Sequence, residues 1–457
     1  MCEEQSTISE KTKKRIQLSD HFNYKNLLIF VAPSIIMMVF VNVYSVVDGL
    51  FVSNYVGMEA LAAISRIFPL IIILGAIGFM LGAGGSALVS KTMGEGNKEL
   101  ANRYFSMLVY VTCGIGIFIA VAGQFTVPYI ATLLGAKGKT YEYCVLYGRI
   151  LLAGQPFFIL QNIFQSFFVT AEKPRLGLIV TAIAGFANIA LDATFVAWFK
   201  WGLAGAAAAT LTSQVLGGVL PLFYFFSKNG SLLRLGKTKF YGKAFLKSCT
   251  NGSSEFLSNI SASVVIILYN AQLDKYTNGD DGIAAYAAIM YVVMIFFSIF
   301  MGYAVGSAPL IGYNYGAQNK DELKNLFKKS LIISAVSGLL MTGLSQALAH
   351  PLSKIFVGYD ENLFQMTLKG FRIYSLAFLI TGFSVFGSSL FTALNNGLVS
   401  AAISFMRSLA FQVLFVMTLP LAWGVDGIWA ATCFVEIASV SVTAVFIIAM
   451  RKKYGYI

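Results

Sequence analysis

The stretch WGLAGAAAAT, residues 201–210, occurs a second time as WGVDGIWAAT, residues 423–432, with Trp, both Gly, two Ala and the final Thr identical. Three further segments repeat in the same order at an offset of about 222 residues. They are GSA at 85–87 and 306–308, GEGNKEL at 94–100 with GAQNKDEL at 316–323, and FQSFFVTA at 164–171 with FGSSLFTA at 386–393. Ordered matches at one offset predict that the chain is a duplication of a single unit.

The composition places this duplicated unit in a membrane. The chain is 57% hydrophobic and 12% charged, whereas soluble proteins are about 25% charged. Its apolar residues form repeated blocks of about 20 or more, the length that crosses a bilayer as a helix. The net charge of +12 does not indicate nucleic-acid binding, because the basic residues fall in short loops between apolar blocks, which is the pattern of membrane topology.

Apolar runs separated by charged, Gly or Pro residues predict twelve spans. With the N-terminus in the cytoplasm, the inside segments carry 23 Lys and Arg and the outside segments carry 9, an asymmetry that favours an even number of spans and both termini inside. The predicted spans are 27–51, 60–90, 105–134, 145–170, 176–199, 203–227, 249–273, 283–313, 330–349, 370–393, 398–420 and 427–450.

Each copy of the repeat holds six spans, so the two copies have the same orientation in the membrane. The predicted fold class is an all-α integral membrane protein in which twelve transmembrane helices form two six-helix bundles related by a parallel repeat. Transporters built from such repeats bind substrate at the repeat interface. We predict a cytoplasmic tail at 1–25, bundles at 26–227 and 248–450, a cytoplasmic linker at 228–247 and a second cytoplasmic tail at 451–457.

With these motifs in place, the chain resembles the multidrug and toxic compound extrusion (MATE) family over residues 25–450, and within it the bacterial MepA-type efflux branch. The resemblance rests on the six-plus-six layout and on four motifs: VVDGLFVSNYVG at 46–57, GSALVSKTMGEGN at 85–97, NIALD at 188–192 and GAAAAT at 205–210. It implies an antiporter in the plasma membrane, a role in drug and antibiotic resistance, and export of amphipathic, often cationic compounds in exchange for Na⁺ or H⁺. We expect a monomer in the lipid bilayer with no other cofactor and no nucleic-acid partner.

Ionisable side chains inside the spans are functional candidates, because a charge that faces lipid is costly. Five stand out: Asp48, Asp192, Glu255, Arg407 and Glu436. Asn188 lies one helical turn before Asp192, so both share one face of the fifth span. A rise of about 1.5 Å per residue puts Asp48, Asp192 and Thr210 at similar depth in the outer half of the membrane.

These oxygen-bearing side chains are suited to Na⁺, which prefers oxygen ligands, and equally to H⁺, because a buried carboxylate can take up a proton. The resemblance assigns the family's cation site to Asp48, Asn188, Asp192 and Thr210, with Gln165 as a weaker fifth member. The alternative is a packing network without ion traffic. At an offset of 222 the two acidic positions become Asn270 and Leu414, an asymmetry that favours a specialised site in the first half.

Three charged residues remain in the second half. Glu255 is a candidate for substrate binding or coupling, because sodium-coupled relatives carry an acidic residue in this span; the alternative is a solvated residue near a helix start. Arg407 and Glu436 are candidates for an intramembrane ion pair with a mainly structural role. Residues 373–393 contain no Asp or Glu, so a mechanism that needs an acidic residue in the tenth span cannot apply.

The sequence gives less support to the other classes of function. An exporter of lipid-linked precursors or another metabolite would need a cationic groove, and the spans offer chiefly Arg407. An enzyme is disfavoured, because the chain has two distant histidines and neither an H-E-x-x-H nor a G-x-S-x-G motif. The aromatic residues, 14% of the chain, could bind flat cations by stacking.

Overall fold

A computed structural model describes residues 16–56, 58–277 and 281–457, and every regular element in these ranges is a helix. The predicted all-α fold class is confirmed. We number the helices α1 to α12, counting a helix that continues through a bend or a π-helical turn as one. They are α1 (Tyr24–Tyr55), α2 (Met58–Gly94), α3 (Lys98–Leu133), α4 (Gly138–Ala153 and Gln155–Thr170), α5 (Pro174–Asp192 with the π turn Ala193–Trp198), α6 (Gly202–Phe226), α7 (Gly242–Tyr276), α8 (Asp281–Gly316), α9 (Lys320–Val357), α10 (Glu361–Ser375 and Phe378–Ala393), α11 (Gly397–Phe405, the π turn Met406–Ala410, and Phe411–Trp423) and α12 (Val425–Tyr454).

Ten of these helices are long and apolar enough to cross a membrane, and the bent pairs α4 and α10 raise the number to twelve. The bend is 54° in α4 and 49° in α10. The break in α4 is at Gly154, and the same repeat position in α10 is Leu376, where that helix also breaks. The two copies therefore share the bend of their fourth helix as well as their sequence motifs.

Most helices run past the predicted apolar spans. α9, for example, covers Lys320–Val357 where the apolar run covers 330–349. Charged residues end an apolar run, but they do not end a helix that leaves the membrane. For the same reason α7 begins at Gly242, so that part of the predicted linker 228–247 is helical.

α12 continues to Tyr454, and the basic residues of its last turn suit the negative end of the helix dipole. Of the predicted tail 1–25, the first fifteen residues lie outside the described ranges.

The two halves meet through the first two helices of each copy. α1 packs against α8, α2 packs against α7, and α2 also crosses α8. α7 and α8 are the repeat equivalents of α1 and α2. The α1–α8 contact therefore corresponds to the α2–α7 contact, and the α2–α8 contact joins two equivalent helices. We call the end of the bundle that carries Tyr24 and Tyr454 the termini face, and the opposite end the far face.

The connection between the halves is fixed to α3. Asn102 accepts a hydrogen bond from the backbone of Arg234, Ser106 accepts one from Gly236, and Thr238 donates to the carbonyl of Arg103. These bonds satisfy backbone groups of an irregular segment, which would otherwise need water. Residues 228–241 therefore follow the surface of the first bundle before α7 begins.

A short segment before α1, residues 16–23, crosses the termini face and contacts both halves. We call it the N-terminal strap. Leu18 and Phe22 are fully buried in it. The N–H of Leu18 donates to Glu172 Oε1 (2.6 Å) in the α4–α5 loop, and the N–H of Phe22 donates to Glu322 Oε1 (3.0 Å) at the start of α9. The strap thus links the first half to the second.

Candidate functional site

Helices α1, α5 and α6, which pack against one another, carry four of the predicted site residues. α5 packs against α1 and against α6, and it contributes Asn188 and Asp192 from one face. Asp192 is the last residue of the regular α-helical segment before the π turn Ala193–Trp198, and π-helical turns are frequent at functional sites. Asp192 is fully buried and Asn188 is 2% exposed, while Asp48 and Thr210 are half-buried.

The four residues share an unusual deficit of hydrogen bonds. Among the described residues, fifteen buried side-chain atoms have no hydrogen-bond partner, and five of them are oxygens of this group. A buried polar group without a partner costs about 1–3 kcal/mol. The fold would not keep five such oxygens together unless something else satisfies them. They are Asp48 Oδ1, Asn188 Oδ1, both Asp192 carboxylate oxygens and Thr210 Oγ1.

The two carboxyl groups interact with each other. Asp48 on α1 and Asp192 on α5 interact electrostatically across the contact between these helices. Two ionised carboxylates at close range repel each other, and a proton on one of them removes that repulsion. The pair is therefore stable with one shared proton or with a cation bound between the carboxylates.

The donor set fits either ion. Na⁺ prefers oxygen ligands, and all five unpartnered atoms are oxygens from carboxylate, amide and hydroxyl groups. If Na⁺ binds, Asp48, Asn188, Asp192 and Thr210 would hold it and the two carboxylates would supply the compensating charge. If H⁺ binds, the carboxyl pair alone is sufficient.

The structure adds three residues that the sequence did not single out. Tyr147, from the first segment of α4, is 2% exposed and interacts electrostatically with both Asp48 and Asp192. Tyr44 lies beside Asp48, and its hydroxyl is hydrogen-bonded with Gln161. Tyr44 could have been found from its spacing, since it precedes Asp48 by one helical turn. Tyr147 gave no such signal, because it comes from a distant helix.

Gln165, the fifth predicted member, is 6% exposed and lies on α4, one turn beyond Gln161 toward the end of that helix at Thr170. Its place in the cation site stays a prediction.

A second charged cluster lies in the other half. The structure brings Arg407 and Glu436 together, with 3.6 Å between Nη1 and Oε1. The hydroxyl of Ser384 donates to the other Glu436 oxygen over 2.6 Å. Glu255, on α7, is half-buried and interacts electrostatically with Arg407. The predicted ion pair, Arg407 and Glu436, and the separately predicted acidic residue, Glu255, therefore belong to one cluster.

Most of the chain is similar to proteins of one family. The MatE family model matches residues 33–194 and 255–418. The multidrug export protein MepA of Staphylococcus saprophyticus is 25% identical over 366 residues, which cover 79% of this chain and 80% of that protein. MepA of Staphylococcus aureus is 24% identical over 400 residues, 86% of this chain and 87% of that protein.

Solved structures share the fold. An outward-facing multidrug-resistance MATE transporter superposes with a TM-score of 0.89 at 23% identity, over 97% of this chain and all of that one. A transporter from Pyrococcus furiosus, described as having a binding pocket of reverse polarity, gives a TM-score of 0.86 at 23% identity, again over 97% of this chain and all of the other. At this identity the likeness concerns the fold.

Proposed function

The chain belongs to the MatE family, and from this premise we propose that it is an efflux transporter that exports amphipathic, often cationic compounds in exchange for Na⁺ or H⁺. The family consists of transporters rather than enzymes, and the protein is a multi-pass membrane protein. The MepA relatives are multidrug export proteins, which supports drugs and toxins as the substrate class here.

The observation that carries the coupling is the Asp48–Asp192 pair with its unpartnered oxygens. A site of this kind binds a cation or a proton more tightly when it is closed off from water. When the ion is bound, it cancels one of the two negative charges of the pair, and a cationic substrate is attracted less strongly. When the ion leaves, the carboxylates favour the substrate. Exchange follows if the two ligands have different affinities for the two conformations.

The contacts between the halves favour an outward-facing state. The N-terminal strap joins the halves at the termini face, and Asn395 donates to the carbonyl of Ala87 across them (3.0 Å). Farther from the termini face, the hydrogen bond that joins the halves within the described ranges runs from Asn42 Nδ2 on α1 to Ser298 Oγ on α8 (2.5 Å). Alternating access then requires the termini face to open and the far face to close around the site.

We further propose that the termini face is cytoplasmic, that the protein lies in the plasma membrane and that it acts as a monomer. The excess of Lys and Arg in the segments on that side supports this orientation. In this orientation the predicted segments 1–25, 228–247 and 451–457 are cytoplasmic, and the Asp48–Asp192 pair lies in the outer half of the membrane.

The test is ethidium efflux from proteoliposomes under separate sodium and proton gradients. Wild-type protein should export the dye, and the gradient that drives export identifies the coupling ion. Asp48→Asn and Asp192→Asn should fold and lose at least about 90% of driven export, because each removes one charge from the pair. Asp281→Asn is the control, since Asp281 is an exposed carboxylate at the start of α8.

Two results would overturn the proposal. Folded Asp48→Asn and Asp192→Asn proteins that export at the wild-type rate would remove the carboxyl pair from the mechanism. Wild-type protein that exports no amphipathic cation, but whose deletion from cells changes cell-wall or polysaccharide synthesis, would identify an exporter of lipid-linked precursors instead.

A further inference from the structure

We propose that Lys91, Lys247 and Lys453 form a binding site for the phosphate headgroup of an anionic phospholipid, at the termini face where the two halves meet. Lys91 lies in the last turn of α2, in the first half, and Lys247 and Lys453 lie on α7 and α12 of the second half. The inference goes beyond the proposed export function, because lipid binding is measured without transport.

A hydrogen-bonded bridge between the halves positions two of the lysines. Asn251 of α7 donates to Asn395 Oδ1 over 2.7 Å, and Asn395 donates to the carbonyl of Ala87 on α2 over 3.0 Å. Lys247 precedes Asn251 by four residues, and Lys91 follows Ala87 by four residues, which is about one helical turn in each case. Because α7 begins and α2 ends at the termini face, both lysines lie on that side of the bridge.

Beside this bridge, α2 and α7 approach to backbone contact. A Cβ atom on Gly84 would lie 1.9 Å from the carbonyl oxygen of Ser248, and one on Gly252 would lie 1.8 Å from that of Met80. Small residues allow membrane helices to approach this closely. Lys247 directly precedes Ser248, so its side chain leaves α7 at the point where the two halves touch.

Lys453 joins these two residues through a row of aromatic rings. Lys91 Nζ lies 5.6 Å from the centroid of the Tyr315 ring, and the Tyr315 and Tyr454 ring centroids are 5.5 Å apart. Lys453 Nζ lies 5.2 Å from the centroid of Tyr454. Lys247 interacts electrostatically with both Lys91 and Lys453. The three ammonium groups therefore form one cluster that draws on both halves.

The positive charge of this cluster exceeds the negative charge beside it. Glu95 Oε1 lies 3.3 Å from Lys91 Nζ, and the Glu95 side chain is 47% exposed. Over the described ranges, neither Lys247 nor Lys453 has an ion pair within 4.0 Å. Like charges repel one another, and an anion bound between them removes this repulsion. Lysine is a frequent ligand of phosphate groups, to which it donates as a point charge.

Exposed apolar side chains beside the cluster favour a phospholipid as the source of the phosphate group. Leu246, which precedes Lys247, is 65% exposed, and Leu398 at the start of α11 is 81% exposed. Gly397 packs on α7, since its Cβ would lie 2.0 Å from the carbonyl oxygen of Thr250, so Leu398 lies beside the same helix. A headgroup at the lysines would place its acyl chains against these leucines, and basic pockets between helices at the cytoplasmic side bind anionic headgroups.

Two of the three lysines have uncharged counterparts in the other copy of the repeat. At an offset of 222, the pairs are Lys91 with Tyr313, Lys453 with Ser231 and Lys247 with Lys25. Membrane topology favours basic residues on the cytoplasmic side of both copies. It does not by itself account for three lysines that meet at one junction between the halves.

The test is the melting temperature of the purified full-length protein in detergent as a function of added ligand. Dioctanoyl phosphatidylglycerol is anionic, dioctanoyl phosphatidylcholine has the same chains and no net charge, and inorganic phosphate has no chains. A ligand of the folded protein raises the melting temperature with its concentration, so each titration gives an apparent affinity. The variant is Lys91→Gln/Lys247→Gln. The control is Lys324→Gln/Lys328→Gln, which removes two exposed lysines of α9 from the same face.

We expect wild-type protein to bind phosphatidylglycerol at least about tenfold more tightly than phosphatidylcholine or inorganic phosphate. Lys91→Gln/Lys247→Gln should weaken phosphatidylglycerol binding by at least about tenfold, because two of the three cations are lost. Lys453→Gln should weaken it by at least about threefold, whereas the α9 control should change it by less than about twofold. Lys91→Arg/Lys247→Arg should keep the affinity, because both charges remain.

Equal losses in the Lys91→Gln/Lys247→Gln protein and in the α9 control would overturn the inference, because they would show diffuse surface charge instead of a site. Equal affinities for phosphatidylglycerol and phosphatidylcholine would overturn it too. Equal affinities for phosphatidylglycerol and inorganic phosphate would identify a soluble phosphate compound and contradict the lipid. If Lys91→Gln/Lys247→Gln does not fold, Lys453→Gln and the arginine variant decide by the same comparison. Export is tested separately by ethidium efflux, so these outcomes leave the proposed function as it stands.

Discussion

Gly94 and Gly316 occupy the same position in the two copies of the repeat, and each lies directly against the helix that carries the other. A Cβ atom on Gly94 would lie 2.0 Å from the carbonyl oxygen of Tyr313, and one on Gly316 would lie 2.1 Å from that of Lys91. Small residues allow membrane helices to approach this closely. The repeated glycine therefore sets the distance between α2 and α8 at the termini face.

Gly94→Ala and Gly316→Ala should each destabilise the protein by about 1–3 kcal/mol, because backbone atoms must move to admit the methyl group. The measurement is the melting temperature in detergent. Gly114→Ala is the matched control: Gly114 lies within α3 and a Cβ there has no atom within 4 Å. That change should stabilise by up to about 1 kcal/mol. Equal melting temperatures for Gly94→Ala and Gly114→Ala would show that the α2–α8 distance is not set by the glycines.

Thr210 and Thr212 provide a matched pair on α6. Thr210 Oγ1 is buried without a partner, whereas Thr212 is exposed and donates to the carbonyl of Ala208 over 2.8 Å. If Thr210 binds the coupling cation, Thr210→Val should weaken the apparent affinity for Na⁺ by about tenfold, which corresponds to about 1.4 kcal/mol. Thr212→Val should leave it unchanged. The measurement is export as a function of the concentration of the coupling ion.

A proton-coupled protein would give a different result for the same pair. The carboxyl groups of Asp48 and Asp192 hold a proton without the hydroxyl, so Thr210→Val would then leave the dependence on pH close to that of wild type. Identical, strong effects of Thr210→Val and Thr212→Val would contradict a specific role for Thr210 under either ion.

The Glu322 carboxylate anchors the N-terminal strap, and removing this carboxylate should release the strap from the bundle. One carboxylate oxygen accepts from the Phe22 N–H and from Asn325, and the other lies 2.5 Å from His21 Nδ1. Glu322→Ala should cost about 1–3 kcal/mol and make the strap accessible to limited proteolysis. Asp321→Ala is the control, since this neighbour has the same charge but is exposed. Equal protection of the strap in both variants would contradict the anchor.

The contact between Leu18 of the strap and Glu172 should make the stability of the protein depend on pH. Burial raises the pKa of the Glu172 carboxyl above its ordinary 4.5, although the Leu18 N–H lowers it in part. The folded protein then binds this proton more tightly than the unfolded chain does. The stabilising contribution is therefore complete below the unfolded pKa and is lost as the pH rises through the folded pKa.

Glu172→Gln should remove this loss, because the amide is neutral at every pH and its oxygen can still accept from Leu18. The melting temperature of the variant should fall less than that of wild type between acidic and neutral pH. Glu99→Gln, at an exposed position on α3, is the control. Parallel curves for wild type and Glu172→Gln would show that Glu172 has no part in the pH dependence.

Much of the candidate site could be predicted because two physical signals are local. A carboxylate in an apolar run is costly enough to stand out, which identified Asp48 and Asp192. The i, i+4 spacing puts Asn188 on the same face of α5 as Asp192. The contribution of Tyr147 could not be predicted in this way. It depends on how the first segment of α4 packs against α2, α3 and α6, and no spacing within one helix contains that information.

In the second half, too, local sequence patterns identify the charged residues, and only the tertiary packing shows which of them meet. The sequence predicts a pair between Arg407 and Glu436 but does not connect Glu255 with it, because Glu255 lies about 150 residues before Arg407. Only the packing of α7 against the π turn of α11 joins the three into one cluster.

The sequence by itself determined the membrane environment, the even number of spans and the parallel duplication, because hydropathy, charge asymmetry and repeated motifs depend on composition and order alone. The tertiary structure decided which polar side chains meet and which oxygens remain unpartnered. It also decided where the halves close upon each other. These properties arise from helix bends, helix crossings and the strap, that is, from contacts between residues hundreds of positions apart, which local patterns cannot encode.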